Sequence, residues 1–452
     1  MKHRLTLPLI ELFGSLLRLS CINMKPKSVF AALVVIALWL SASVLGMPEA
    51  PVLPPRPLTL SEAIRIALER HPTIISAQKA YEASLARIDE TGTPLNPKVN
   101  SDAGYSQRGG SSTTSSTSWS AQTTLRQTLT DFGKTAASVR RSSALAESFR
   151  EAEVLARQAV ILKVAEAFYG VLQTRELVDV AVSAVTQQER HLHQAEEFFR
   201  VGTRARIEVT KAQVDLSRAK LDQVKAENQL RQRKVDLGVA MGLRSEDSGE
   251  PVRGQDKEGE KAAPALSQAL ETAFSSRPEI LESKARLEAA KGGLQVAESG
   301  LLPALSGVAG YGWDESVFVP RANSWQLGMT LSIPVFDGNL TRHQIRENRA
   351  LVEQAQADLE NQHLLVRQDV EQQMLAYKEA LERLKVATEA ERQALENFDL
   401  AKRRYEVGVG SSLEFTDAQV ALSRAQSDAI QAFYDSKTAY SRLEKSMGVL
   451  GQ

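Results

Sequence analysis

The sequence predicts a mainly α-helical chain with a small membrane β-component. It is laid out as two tandem repeats, each joining one hairpin of membrane-length strands to long antiparallel coiled-coil helices, with four strands per chain. Three observations carry this expectation. Matching positions recur at a constant offset of 206 residues, each copy holds one short stretch of alternating character, and each then runs about 65–70 residues without a proline.

The offset is visible along the whole chain. Leu60-Ser61-Glu62-Ala63-Ile64 aligns with Leu266-Ser267-Gln268-Ala269-Leu270, Pro72 with Pro278, and Pro97 with Pro303. Tyr105 meets Tyr311, Trp119 meets Trp325, Gly202 meets Gly408, Glu208 meets Glu414, and Met241-Gly242 meets Met447-Gly448. Solenoid repeats have periods of roughly 20–50 residues, so each copy here is a whole module. The implied division is repeat 1 over 58–243, a linker over 244–263, and repeat 2 over 264–450.

Before the first repeat, Lys25 and Lys27 precede an apolar run at 29–40 and the small-residue stretch 41–46. Charge, length and cleavage chemistry fit an export signal, so residues 1–46 are expected to be an N-terminal extension and signal peptide, with Met24 as the start. The one cysteine, Cys21, precedes the apolar run, which leaves the exported chain without thiol chemistry or a lipidated cysteine. No later run of 18 apolar residues exists. The exported chain is therefore soluble or crosses a membrane as strands. Its 55 basic and 55 acidic residues show no nucleic-acid footprint.

Within each module the elements follow in order. Ser61 is placed to cap a short helix that His71-Pro72 stops, and a second helix spans 73–90, ended by Gly92, Pro94 and Pro97. The second copy gives 265–277 and 278–300. Strands follow within about 97–130 and 303–335. Trp325, Leu327, Met329, Leu331 and Ile333 alternate with Gln326, Gly328, Thr330 and Ser332. Trp119, Ala121, Thr123 and Leu125 alternate with Ser120, Gln122, Thr124 and Arg126. With loops at 108–118 and 314–323, each copy makes one hairpin of strands about 10 residues long, the length a tilted membrane strand needs. Trp119, Trp313, Trp325, Tyr105, Tyr311 and Phe318 lie in or beside the hairpins and suit an interfacial aromatic girdle. A soluble hairpin with an aromatic cluster is the plainer alternative.

Asp131-Phe132-Gly133 and Phe336-Asp337-Gly338 then open long helices over about 133–199 and 338–405, each near 100 Å at the usual rise. Return helices cover about 207–243 and 413–448. Their alanine seams, Ala212, Ala219 and Ala226 and then Ala418, Ala425, Ala432 and Ala439, repeat every seven residues and permit close helix approach. A seam with polar residues on both flanks suits a thin wall wetted on each face. Four strands cannot close a membrane barrel, and open edges are not tolerated in lipid, so chains must associate.

This ordered set resembles the TolC-type outer-membrane efflux proteins. The carrying features are the tandem repeat, the Leu58-Thr59-Leu60-Ser61-Glu62-Ala63 opening and the Asp-Phe-Gly junction before a long helix. To these are added the turns Phe199-Arg200-Val201-Gly202 with Glu208-Val209, and Arg404-Tyr405-Glu406-Val407-Gly408 with Glu414 and Asp417-Ala418-Gln419. The resemblance implies a homotrimer with a twelve-stranded barrel in outer-membrane lipid and a helical tube across the periplasm. It implies an exit duct of a tripartite efflux or type I secretion system, fed by a periplasmic adaptor and an inner-membrane pump. The tips Gly202, Thr203, Gly408 and Gly410 would be where the adaptor docks. Glu414 and Asp417 would ring the aperture, and Tyr405 and Glu208 match two members of the closed-state link. The family's arginine position is Gly410 here, which leaves Arg204 and Arg206 as candidates to replace it.

Nothing in the chain implies an enzyme, cofactor or metal. His191 and His193, at i,i+2, point to different faces and read as surface residues. An exported coiled-coil adaptor that stays out of the membrane is the competing reading, and the alternating Trp325–Ile333 segment speaks against it.

Overall fold

The computed structural model describes residues 57–110, 113–243, 249–252, 262–318 and 322–451. The expected signal segment lies outside them. In order the elements are β1 (Pro57–Leu58), α1 (Leu60–Arg70), α2 (Pro72–Gly92), β2 (Lys98–Gly110), β3 (Thr113–Thr130), α3 (Lys134–Arg200) and α4 (Arg206–Ala240). The second copy gives β4 (Glu250–Pro251), α5 (Leu266–Ser276), α6 (Pro278–Glu298), β5 (Ala304–Glu315), β6 (Ser324–Ser332), α7 (Leu340–Glu406) and α8 (Ser412–Ser446).

Helix α1 starts two residues earlier than a cap at Ser61 would place it. Thr59 is the N-cap: its hydroxyl accepts from the Glu62 amide at 3.3 Å, while the Glu62 carboxylate accepts from the Thr59 amide at 3.1 Å. A capping box needs its acid three residues on, a spacing Thr59 has and Ser61 lacks.

The long helices α3 and α7 are each 67 residues. Both begin with the same device. The Asp131 carboxylate accepts from the Gly133 and Thr135 amides, and the Asp337 carboxylate accepts from the Thr341 amide at 2.9 Å. Burial opposes this at Asp131, but hydrogen bonds from the Thr135 and Thr341 hydroxyls, and then from these helix-start amides, hold both carboxyls below their usual range. Phe132 and Gly133, then Gly338 and Asn339, adopt positive φ at the junction, reversing the chain from strand to helix.

Helix α3 packs against α4, and α7 against α8; α3 also contacts α2, α6 and α8, while α6 reaches α7. The seams are apolar and narrow: Val164, Phe168 and Val171 of α3 are buried with Leu237 of α4 and Tyr434 of α8. Val366, Val370, Met374 and Tyr377 of α7 are buried with Leu443 of α8. A polar ladder joins α3 to α8. Glu166 accepts from Arg442 at 2.7 Å, Glu176 from the Tyr434 hydroxyl at 2.6 Å, and the Gly448 carbonyl from Gln158 at 3.2 Å.

The four long strands form one antiparallel sheet in the order β2-β3-β5-β6. Their lengths are 13, 18, 12 and 9 residues, so the first hairpin is longer than the sequence reading allows. Part of the expected 108–118 loop is strand: Ser106 pairs with Ser118, Gln107 with Thr117 and Arg108 with Ser116. Ser and Thr lack the apolar alternation that marks a strand, yet their backbones continue the ladder, and threonine favours extended geometry.

Candidate functional site: the membrane sheet and the helical tips

Two regions hold the candidate functional residues, one at each end of the long helices. In the sheet, residues opposite one another share a face. The register pairs Tyr105 with Trp119, Ala121 with Trp313, Tyr311 with Thr123 and Trp325, and Leu125 with Ala309. One face therefore collects all five aromatics, Tyr105, Trp119, Trp313, Tyr311 and Trp325. It continues along β6 through Leu327, Met329 and Leu331. The other face carries Asp102, Gln122, Arg126, Ser306, Gln326 and Thr330. Trp325, Leu327 and Met329 are each at least 75% exposed. A face that is apolar along β6 and carries an aromatic band fits lipid, and the opposite, polar face fits a wet lumen. Phe318 joins the band, 5.1 Å from Trp119. Strand directions alternate, so a β2 from another copy would meet the free edge of β6 antiparallel.

At the other end lie the two turns. Gly202 and Gly408 have φ of +76° and +81°, the left-handed geometry that closes a helix C-terminus. The amides of Thr203 and Val409 return to the carbonyls of Phe198 and Arg404, each at 3.0 Å. Around the tips Val201, Ile207, Val407, Val409 and Leu413 are exposed.

Just above them is an aromatic knot. Tyr405 is buried against Phe198, His191 and Phe415, with ring centroids 6.0, 5.1 and 5.5 Å away. The Arg204 guanidinium sits 5.8 Å over the Tyr405 ring and donates to the Gly410 carbonyl at 3.1 Å. Arg204 thus ties the first turn to the second. Gly410 has no room for a side chain, since a Cβ there would lie 2.9 Å from the Tyr405 amide nitrogen. Arg206 is exposed and makes no ion pair among the described residues. Tyr405 and Glu208 are brought together without a hydrogen bond: the Tyr405 hydroxyl and Glu208 Oε2 are buried without partners. Burial, with Glu208 adding to it, pushes the Tyr405 hydroxyl up, and Arg204 opposes the shift.

Glu414 and Asp417 are exposed on one face of α8, three residues apart. Their surroundings differ. Glu414 is paired with Arg404 Nε at 3.0 Å, and its amide is capped by the Ser411 hydroxyl at 3.1 Å. Asp417 has no ionic partner among the described residues and stands as the open negative charge.

His191 corrects the sequence reading. It is 2% exposed, stacked 4.7 Å from Phe415, with Nε2 3.4 Å from the Ser412 hydroxyl. The signal was present: Val185, Gln188, His191 and Ala195 continue the buried three-and-four stripe of α3, and a histidine on that stripe faces inward.

A membrane sheet with two open edges, set on a long thin helical wall, defines a subunit of an oligomeric membrane duct. Comparison with known proteins agrees. The family described as "Outer membrane efflux protein" matches residues 63–243 and again 269–449, one match per repeat. Protein CyaE of Bordetella pertussis is 27% identical over 83% of this chain and 79% of its own. Outer membrane protein TolC of Vibrio cholerae is 24% identical over 87% and 91%. The Campylobacter jejuni CmeC outer membrane channel superposes with a TM-score of 0.76 at 17% identity, covering 90% of this chain and 94% of that one. The chain belongs to the outer membrane efflux protein family and is an outer-membrane channel reaching into the periplasm.

Proposed function

We propose that three copies close into a twelve-stranded barrel continued by a helical tube, forming the passive exit duct of a tripartite efflux or type I secretion assembly. The observation that carries this reading is the four-strand sheet with one lipid face, one polar face and two unpaired edges. A periplasmic adaptor is the proposed partner of the Gly202 and Gly408 tips, whose exposed valines offer it an apolar contact, and an inner-membrane pump supplies the energy. The aperture lies at these tips, held closed by the Arg204–Gly410 link and the packing of Tyr405.

Three copies of Asp417 form the effective acidic ring, because Arg404 already offsets Glu414. In planar bilayers, Glu414→Ala together with Asp417→Ala should weaken cation preference, with most of the change coming from Asp417→Ala alone. Arg404→Gln should strengthen it by unmasking Glu414. Unchanged reversal potentials in the double variant would sink the ring. Arg204→Ala should raise conductance by removing both the hydrogen bond to the Gly410 carbonyl and the contact with the Tyr405 ring. Equal single-channel conductance and open time in Arg204→Ala and wild type would discard that link as a lock.

A further inference from the structure

The tip contains one buried titratable group that the acidic ring and the Arg204 link do not use. His191, on the inner stripe of α3, is wedged between the two ends of the second hairpin: Tyr405 closes α7 and Phe415 opens α8. Its Nε2 faces the Ser412 hydroxyl, while its Nδ1 is buried with no hydrogen-bond partner. Gln188 Oε1, Thr416 Oγ1, Gln419 Oε1, Glu208 Oε2 and Asp215 Oδ2 are likewise buried and unpartnered. With Nε2 taken up by Ser412, a proton added at Nδ1 finds no hydrogen-bond partner within reach in the packed arrangement, so the packing as it stands suits a neutral ring.

We propose that His191 is the positioning residue that holds the tip of α7 and α8 against α3, and that its protonation in an acidified periplasm releases them. The functional consequence, a wider aperture, rests on the reading of the tips as the aperture.

The charged and titratable groups facing His191 are known from each packed element. Helix α4 presents Glu208, Asp215 and Lys211; α7 presents Tyr405, with Arg204 of the first turn over its ring; α8 presents Ser412 and Phe415 and no charge. Burial depresses the imidazole below its ordinary value and Lys211 adds to this, while Asp215 and Glu208 oppose without overcoming it. A base depressed in the packed state contributes stability above its unfolded value near 6.5, and loses it as pH falls through the lower, packed value. The packed tip is therefore weakened by acid below pH ~6.5, before ordinary carboxylates titrate.

The test uses the full-length trimer in lipid nanodiscs and compares wild type with His191→Gln and His191→Asn at each pH, which cancels intrinsic exchange chemistry. At pH 7.5 amide exchange over 188–195 and 405–415 should be equal or slightly faster in the variants. At pH 5.0 it should be several-fold faster in wild type than in His191→Gln. In bilayers, wild-type conductance should rise over the same interval and that of His191→Gln should stay flat. Faster exchange without a conductance change supports the wedge and overturns the aperture reading. Equal or slower wild-type exchange at pH 5.0 overturns the proposal, and so does acid loosening that persists undiminished in both variants.

Discussion

Leu327→Arg should remove the channel from the outer membrane, whereas Gln326→Arg, one residue away, should leave it there. Both side chains are exposed on β6 and a soluble hairpin would accept either change at little cost. The register separates them: Leu327 lies with Trp325, Met329 and the aromatic band, and Gln326 lies across the sheet with Gly310. An arginine on a lipid face near mid-bilayer costs about 2–4 kcal/mol per copy, and a closed assembly presents the change once per chain. On the lumen face the same group stays hydrated. Outer-membrane fractionation and heat-modifiable mobility of the extracted assembly read the difference directly. Equal behaviour of the two variants would favour the exported adaptor that does not enter lipid.

How much of this was legible in the sequence depends on the range of the interaction. The 206-residue offset, the proline-free helical runs and the alternation along β6 are local patterns, and each reports which face of its own element is buried. Those patterns sufficed for the helical wall and the strand count. The tip was only partly legible. Arg204 was one of two candidates for the missing arginine, but its acceptor is the backbone of Gly410, 206 residues away, and no residue letter encodes a carbonyl contact. The Arg404–Glu414 pair is equally hidden in the sequence, because its two members meet only after the chain reverses at Gly408. His191 was misplaced for a different reason. Its polarity outweighed its position, although the stripe Val185, Gln188, His191 and Ala195 already turned it inward. The serine- and threonine-rich hairpin escaped notice as strand because, past the aromatic band, the ladder needs backbone pairing and no apolar side chains.

Arg277→Ala should produce the largest loss of stability outside the membrane, by breaking a buried charge cluster that has no counterpart in the other repeat. Arg277 is the N-cap of α6 and its side chain is 8% exposed. It forks onto Glu279 at 2.8 and 3.2 Å, reaches Asp369 of α7 at 2.7 Å, and donates to the Ser446 carbonyl at the end of α8 at 3.3 Å. One guanidinium thus pins both helices of the second hairpin to α6, far along α7 from the tip. The offset of 206 places His71, Thr73 and Lys163 at the equivalent positions. There His71 Nδ1 accepts from the Thr73 amide at 3.2 Å, and burial together with Lys163 disfavours a charged ring, so repeat 1 has a neutral cap where repeat 2 has an ionic one. Removing the arginine strands the Glu279 carboxylate with little water, while Asp369, 38% exposed, stays hydrated, so the loss should be about 3 kcal/mol, the low end for a broken buried pair. Arg277→Lys should recover part of it, since an ammonium cannot fork onto Glu279. The pH dependence separates this from simple loss of packing. Arg277 holds the Glu279 carboxyl below its usual range, so its contribution is present above pH ~4.5 and lost as pH falls through the depressed value. The gap in dissociation temperature between wild type and Arg277→Ala should therefore be wide at pH 7 and narrow toward pH 3. A gap that stays constant with pH would assign the cluster's effect to shape alone.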